Sequence, residues 1–378
     1  MKTGNVLSLA GGGTWAMLEA RALMQLYPNL TGHQILQQFD VTIANSGGSL
    51  VLCGLAANMT PSAIYAIFKD QELLQQLYHP IDWFDQIISG LNVTPRYASK
   101  YKLAALQKLF GAIGAQPLTK IPANIAICAY DLDRNREVIF RSYSSPLSAS
   151  SGNFTPNLVD AVHASSSAPV LYYDDPAVVV NQSDAQDIRR FWDGGLGSYN
   201  IPARGGLTEI HALGFDCVNV LSLSSGLKWQ PVRNGFSNIY AKSGDPSLIG
   251  AIECLAKDCT ISPAVAALCD VVYTPNTNIV HLSPYLRPDY LDGKWLIPAG
   301  LISSLGVDAW NKLIGFDMDI KDPQDITLLS GYAEAWIAGN IPNEPVIIDS
   351  MTGASLIGDA NFSTGMQKWQ KLTLPANE

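Results

Sequence analysis

Apolar runs that stop at glycine alternate along the chain with segments whose apolar residues recur at helical spacing. Residues 6–10, 39–44 and 121–130 are short and largely apolar, which predicts buried strands. Residues 14–27 have apolar side chains three and four positions apart and are followed by Pro28, which predicts a helix that ends before the proline. Strands that alternate with helices predict a three-layer α/β fold, in which helices flank both faces of a mostly parallel sheet.

The alternation continues through most of the chain. Residues 137–142 follow a turn-like segment and are expected to pair beside the strand at 121–130. Further strands are predicted to end at 193 and to span 218–223 and 280–282, and further helices to span 31–38, 50–57, 158–163, 207–213 and 327–338. Residues 61–115 are predicted to form helices. They contain three aromatic and aliphatic stretches, at 64–68, 73–78 and 81–91. Such stretches are typical of core packing and also of a lid or membrane-docking surface.

The composition narrows the class of protein. Of 378 residues, 47% are hydrophobic and only 15% are charged, so the chain can bury a large core and is not disordered. Its 24 Lys and Arg against 33 Asp and Glu give a net charge of −9, which argues against binding to a nucleic-acid polymer. The same charge argues against a purely electrostatic attachment to an anionic membrane, whereas attachment through apolar surface stays open. No segment reaches the roughly 18 uninterrupted apolar residues of a membrane span, so we expect a cytoplasmic protein.

The six cysteines favour reduced thiols. Cys53 and Cys128 lie inside apolar runs, where cysteine behaves as a small buried hydrophobic residue. Cys254, Cys259 and Cys269 cluster, but their spacing fits no common zinc pattern, and a disulfide between the first two stays open. We therefore predict neither a metal ion nor another cofactor.

A glycine triplet follows the first predicted strand and opens a helix. Gly11, Gly12 and Gly13 would let backbone N–H groups converge where the helix dipole adds positive potential. Such a loop suits a phosphate group or the oxyanion of an acyl-transfer intermediate. A tight strand-to-helix turn explains the triplet equally well.

A serine flanked by small residues follows the second predicted strand. The pattern G-x-S-x-G describes a nucleophile elbow, and here Ala44 takes the first place and Gly48 the last. Ser46 would project its hydroxyl from the strand end, and the N–H of Gly47 would face the developing oxyanion. A serine that caps the next helix is the alternative explanation.

An aspartate followed by two glycines ends a later strand. Asp193 is followed by Gly194 and Gly195, which end the strand and would let its carboxylate reach Ser46 and act as the general base. Taken alone, the pair is better explained as an ordinary Asp-Gly turn. The occurrence of all three features in this order favours the catalytic interpretation.

This combination resembles the patatin-like phospholipases, whose pattern is a glycine-rich loop, an elbow serine and a late Asp-Gly-Gly. Residues 39–41, 165–169 and 220–223 also look like family segments, and the resemblance covers roughly residues 5–335. It implies that Ser46 is the nucleophile, that Asp193 is its base, and that the oxyanion hole combines Gly47 with the glycine triplet, Gly11, Gly12 and Gly13.

The chain departs from the family pattern at two places. The family often begins its loop with Asp and carries a basic residue after the glycines, where this chain has Ala10 and Trp15. Because backbone N–H groups bind the oxyanion, we expect activity to survive, without help from that positive side chain. Ala44 in the first elbow position is a milder change.

The resemblance implies a hydrolase that cleaves fatty-acyl esters of phospholipids through an acyl-enzyme intermediate at the membrane surface. Residues 1–340 would form the acyl hydrolase domain, and residues 341–378, rich in Gly, Asn and Pro, a loosely ordered C-terminal extension. Bacterial members include antiviral effectors switched on by a cyclic nucleotide, and the loop at residues 10–15 is similar to theirs. A cyclic dinucleotide activator and an oligomer are therefore compatible with the sequence.

Three alternatives stay open at this point. His211 and His281 follow Asp193 as a catalytic triad would require, but they lie in predicted regular structure, and His163 could line the pocket. The spacing Gly-x-Gly-x-x-Ala from Gly11 fits a Rossmann-type dinucleotide site of an oxidoreductase, for which Asp40 would be the ribose-binding acid. A catalytically silent patatin fold that binds lipid or a partner protein is the third.

Overall fold

The computed structural model describes residues 1–81, 95–148, 154–169, 172–226, 268, 270–286, 289–291, 294–296, 299–344, 346–348, 355–357 and 360–373. The strands are β1 Thr3–Leu9, β2 Val41–Ala44, β3 Ile125–Asp131, β4 Arg136–Arg141, β5 Ala177–Asn181, β6 Asp184–Asp193, β7 Cys217–Leu223, β8 Thr277–Leu282, β9 Asp289–Leu291, β10 Lys294–Leu296, β11 Val346–Ile348 and β12 Ser355–Ile357. The α-helices are α1 Met17–Leu26, α2 Gly32–Leu36, α3 Ser46–Ala56, α4 Pro61–Ile67, α5 Gln71–Leu77, α6 Ser99–Gly114, α7 Leu158–Ser165, α8 Ala203–Ala212, α9 Ala299–Leu305, α10 Val307–Gly315, α11 Pro323–Ile337 and α12 Phe362–Thr373.

The central sheet has the strand order β5-β6-β3-β2-β1-β7-β8, with β4 paired to β3. Strands β3, β2, β1, β7 and β8 run parallel to their neighbours in this series, whereas β4, β5 and β6 pair antiparallel. The predicted α/β fold with a mostly parallel sheet is confirmed, and so is the pairing of residues 137–142 beside β3.

Alternate residues of β1 face two separate cores, which explains why its sequence is apolar without alternation. Leu7 and Leu9 belong to the larger core, formed with helices that include α1, α3, α7 and α11. Val6 and Ala10 belong to the smaller core, to which α8 contributes. Helices therefore cover both faces of the sheet, as a buried parallel sheet requires.

The ends of β2 and β6 meet on β3. Because β4 occupies one edge of β3 over residues 126–131, β2 and β6 must share the other edge. Ala44 of β2 pairs with Ile127, and Asp193 of β6 pairs with Ala129. Since β2 and β6 run in opposite directions, their last residues approach each other, and the residues that follow both strands lie close together.

The C-terminal region is more ordered than its Gly and Asn content suggests. Helix α12 packs against the body of the protein: the Trp369 ring stacks on Phe39 at 5.7 Å, and its Nε1 donates to the Tyr27 hydroxyl at 2.9 Å. The prediction of a loosely ordered extension is wrong for residues 362–373. Buried Phe362 and Trp369, which are seven positions apart on one helix face, supply the packing that composition did not reveal.

Two further predictions concern cysteines and membrane spans. Cys53 and Cys128 are buried free thiols, and Cys217 is a partly buried free thiol. Cys254, Cys259 and Cys269 lie outside the described residues. Within the described part of the chain, no helix is both long enough and apolar enough to cross a membrane.

Candidate active site

Ser46 lies on a strained turn between β2 and α3. Its φ of 47° is in the left-handed region that non-glycine residues rarely adopt, as a nucleophile elbow requires. Tight packing explains the glycines after it, since a Cβ on Gly48 would lie 2.5 Å from the Ala10 carbonyl oxygen. A Cβ on Gly47 would lie 2.5 Å from the Gly13 carbonyl oxygen. The turn thus brings the serine against the glycine triplet.

Asp193 is a buried carboxyl group with several hydrogen-bond donors around it. Its Oδ1 accepts the N–H of Gly195 at 2.8 Å and the side-chain amide of Asn45 at 3.1 Å. Ser46 lies beside it and acts to lower its pKa. Burial raises the pKa of Asp193, while these hydrogen bonds and the charge of Lys102 act in the opposite direction. The structure therefore brings together the serine and the aspartate that the sequence singled out.

The turn at residues 165–167 connects Ser46 with Asp193. The Ser165 hydroxyl accepts the backbone N–H of Ser46 at 2.9 Å, and the Ser167 carbonyl accepts the backbone N–H of Asp193 at 2.9 Å. The resemblance had marked this segment without giving it a role, and Asn45 was seen only as part of the elbow. Asn45, Ser165 and Ser167 are polar residues that are buried directly beside the two candidate residues, and this burial is what identifies them.

The glycine triplet differs from residue to residue in backbone conformation and hydrogen bonding. Gly12 and Gly13 have φ values of 152° and 57°, so only glycine fits the loop without strain. The N–H of Gly11 donates to the Asn200 carbonyl at 2.8 Å. Among the described residues, no acceptor is found for the N–H groups of Gly12, Gly13 and Gly47.

A cavity that is open to solvent has Ser46 in its wall. Its lining is mostly apolar and comes from Gly13, Thr14, Ser46, Gly47, Leu50, Phe68, Leu74, Leu77, Tyr78, Lys102, Leu106, Val162, Ser166, Ala168, Tyr172, Tyr173 and Met318. The apolar stretches at 64–68 and 73–78 thus belong to the core and the cavity wall, because their large side chains are buried. Most of the stretch at 81–91 lies outside the described residues.

Residues 317–321, which we call the strap, contribute Met318 to the cavity wall. The Met318 carbonyl accepts the N–H of Thr14 at 2.8 Å, and the Thr14 hydroxyl donates to the Ile320 carbonyl at 2.9 Å. Arg96 is ion-paired with Asp317 at 2.9 Å and with Asp319 at 3.3 Å. Trp15, which stands where the family has a basic residue, donates its indole N–H to the Asp317 carbonyl at 3.0 Å. The strap is therefore tied directly to the glycine loop.

The histidines lie away from this arrangement. His281 belongs to β8, which is separated from β2 by β7 and β1; its Nδ1 pairs with the Ser222 hydroxyl at 3.0 Å, and burial lowers its pKa to about 4. The Nδ1 of His211 pairs with the Phe215 carbonyl at 2.9 Å. His163 is buried and is not among the described residues that line the cavity.

A parallel sheet that presents a serine on a strained strand-to-helix turn, beside a buried carboxyl group, is the arrangement of serine hydrolases. The family model described as patatin-like phospholipase matches residues 7–206, which is more than half of the 378 residues. The chain belongs to the patatin-like phospholipase family and is a lipid acyl hydrolase.

Other comparisons add little to this assignment. Among solved structures, the chain is similar to VipD from Legionella pneumophila, with 12% identity over 88% of this chain and 67% of that one and a TM-score of 0.33. A comparison with curated proteins finds no match.

The dinucleotide-binding alternative is not supported. Asp40 precedes β2, and its carboxylate accepts the N–H of Asn5 at 2.8 Å, at the start of β1. The glycine triplet follows the opposite end of β1, so Asp40 cannot act together with it on one ribose and pyrophosphate.

Proposed function

We propose that the chain hydrolyses fatty-acyl esters of phospholipids through a Ser46–Asp193 dyad and an acyl-enzyme intermediate. The observation that carries the proposal is that Ser46 and the buried Asp193 carboxyl follow strand ends that meet on β3, beside a mostly apolar cavity that Ser46 lines. The family assignment supports lipid acyl hydrolysis in general.

The first half-reaction forms the acyl-enzyme. The Ser46 hydroxyl attacks the ester carbonyl while its proton passes to an Asp193 carboxylate oxygen. Negative charge then develops on the carbonyl oxygen, where the N–H groups of Gly12, Gly13 and Gly47 and the N-terminal end of α3 would stabilise it. The intermediate collapses when the ester C–O bond breaks, and Asp193 returns the proton to the departing alkoxide.

The second half-reaction restores the enzyme. A water molecule attacks the acyl carbon and gives one proton to Asp193; the Ser46 oxygen then leaves and recovers that proton. A raised pKa suits this exchange, because a carboxylate that binds a proton more readily is a better base. The rate is expected to fall when the pH drops through this raised pKa, since the protonated carboxyl cannot accept the serine proton.

The remaining glycines have supporting roles in the proposal. The N–H of Gly195 fixes Asp193, and a Cβ on Gly194 would lie 2.5 Å from the Asn45 side-chain oxygen. Gly11 uses its N–H on Asn200 and is needed for space, since its Cβ would lie 3.2 Å from the Ser46 Cβ. We therefore assign Gly11 to loop shape rather than to the oxyanion hole.

The substrate is proposed to enter from a lipid surface. The apolar walls of the cavity suit a fatty-acyl chain, which would leave the polar head group at the mouth. Because the net charge of −9 opposes attraction to anionic lipid, contact with the membrane would depend on apolar surface. We assign this activity to residues 1–340 and regard residues 341–378 as an extension.

The test is release of fatty acid from phospholipid vesicles by the wild type and by Ser46→Ala. A fluorophosphonate probe, which reacts with an activated serine, should label the wild type and fail to label the variant. If the wild type neither labels nor releases fatty acid, the silent lipid-binding alternative replaces the proposal.

Activation by a cyclic dinucleotide, with a role in antiviral defence, stays a prediction from the family resemblance. The vesicle assay should be repeated with and without candidate cyclic dinucleotides, and the mass of the protein measured by light scattering in both conditions. Equal release in both conditions would exclude the switch, and a change of mass would show whether an oligomer accompanies it.

A further inference from the structure

We propose that Lys102 is a positioning residue of this site: it fixes the turn that holds Ser46 and Asp193, and it brings a positive charge to the side of the cavity where Asp193 lies. Lys102 lies in α6, lines the cavity and is 2% exposed. The inference rests on the proposed function, because it assumes that Asp193 acts as the base.

The Lys102 amino group is held by the C-terminal end of α7. Its Nζ donates to the His163 carbonyl at 3.1 Å, to the Ser167 hydroxyl at 2.8 Å and to the Ser166 hydroxyl at 3.3 Å. Both hydroxyls donate in turn to carbonyls of α7, so their lone pairs are free to accept from Nζ. The Tyr173 ring covers another side, with its centroid 4.0 Å from Nζ.

These contacts fix the turn at residues 165–167, through which both candidate catalytic residues are positioned. Ser167 accepts from Lys102 through its hydroxyl and from the Asp193 backbone through its carbonyl. Ser165, two residues earlier, accepts the Ser46 backbone N–H. A displacement of this turn would therefore move Ser46 and Asp193 relative to each other, which matters because proton transfer requires hydrogen-bond distance.

Structural needs alone do not explain a lysine at this place. No carboxylate among the described residues lies within ion-pair distance of Nζ, so its charge is buried without a close partner. Burial of such a charge costs free energy, and an apolar side chain of similar length would fill the same space more cheaply. A buried charge that costs free energy at a functional site points to a role in the chemistry.

The charge of Lys102 acts to lower the pKa of Asp193, against the larger effect of burial, and other titratable groups surround the pair. Burial and the charge of Lys102 lower the pKa of His163, which favours its neutral form. Burial raises the pKa values of Tyr173 and Cys128, so both stay protonated near neutral pH. Asp174 interacts with Lys102 more weakly than Asp193 does. Burial lowers the pKa of Lys102 itself, while Asp193 and Asp174 support its charged form.

The test compares Lys102→Met and Lys102→Arg by the rate at which a fluorophosphonate labels Ser46 across the pH range in which each protein stays folded. Loss of the positive charge raises the Asp193 pKa, so in Lys102→Met the acid limb of the rate profile is expected to move to higher pH. Lys102→Arg keeps the charge and should leave the limb in place. The rate deficit of Lys102→Met should shrink as the pH rises.

Lys108→Met is the matched control, because it removes the same charge from the same helix at a side chain that is 71% exposed. Its profile should match the wild type. Unfolding temperatures measured by circular dichroism verify the fold, and Lys102→Gln provides a second neutral variant. A uniform rate loss without a shift of the acid limb, or an unchanged profile, would show that the charge of Lys102 does not act on Asp193 and would overturn the inference. A wild type that labels at no pH overturns the proposed function, and the inference falls with it.

Discussion

The two walls of the cavity are held in place by different kinds of contact. On one side, Ser46 and Asp193 follow the ends of β2 and β6, and buried hydrogen bonds to the turn at residues 165–167 fix them. On the other side, the strap has no regular structure and is tied down partly by Arg96, whose side chain is 44% exposed. The first wall lies within the residues that match the family, and the strap lies beyond them.

We expect the wall at the sheet ends to carry out the reaction and the strap to select the acyl chain. Buried hydrogen bonds at sheet ends hold reacting groups to a narrow geometry, which proton transfer and oxyanion binding require. The strap is bound to the glycine loop through its backbone carbonyls, and its partly exposed ion pairs are weak and sensitive to salt, so its side chains can be altered at smaller cost. We therefore expect substitutions at the sheet ends to abolish the reaction and substitutions in the strap to change which acyl chains are used.

The largest expected effect comes from the dyad itself. Ser46→Ala and Asp193→Asn should lower kcat by roughly four to six orders of magnitude, because one removes the nucleophile and the other its base. Esterase assays with a chromogenic acyl ester would measure this loss. Asp184→Asn, at the exposed start of the same strand as Asp193, is the control and should behave as the wild type. Substantial activity in a folded Asp193→Asn protein would contradict the dyad.

A smaller loss is expected from the residues that orient the dyad. Asn45→Ala removes a buried hydrogen bond to Asp193, and Ser165→Ala removes the acceptor of the Ser46 N–H. Each removes a buried hydrogen bond, a loss of about 1–3 kcal/mol, or roughly 5- to 160-fold in kcat. Ser62→Ala, at an exposed position, is the control. Equal loss for all three variants would show that the assay reports stability and not orientation.

The strap should affect selection more than rate. Met318→Ala removes a side chain from the cavity wall while the backbone carbonyl that binds Thr14 stays in place. The ratio of kcat/KM for long and short acyl esters is expected to rise by roughly tenfold, as pocket contacts of this size allow. Met366→Ala in α12 is the matched control. An unchanged chain-length preference would show that the strap does not contact the acyl chain.

The smallest effect is expected at the histidines. His211→Ala and His281→Ala should retain ester hydrolysis within about twofold, because neither ring contacts the site. Circular dichroism would confirm that each variant is folded. A folded histidine variant without activity would show that the enzyme uses a triad and not a dyad. The comparison between the two walls would then no longer hold.

The sequence revealed the parts of the first wall better than those of the second. Glycine spacing and the residues beside Ser46 and Asp193 identify tight turns at strand ends, since steric limits act over one or two residues. No comparable local signal marks Lys102 or Met318, which lie in a helix and in an irregular segment. The composition of the C-terminal residues was misleading for the same reason, because packing against Phe39 stabilises α12.

The sequence by itself determined most strands of the central sheet, the glycine turns and the two residues proposed for the dyad, because each depends on its immediate neighbours. Only the tertiary structure decided that the ends of β2 and β6 meet on one edge of β3, which places Asp193 beside Ser46. It also brought Lys102 into contact with Ser167 and the strap into contact with the glycine loop. Such contacts join residues far apart in the chain, and they form only when the sheet and its helices bury their apolar faces together.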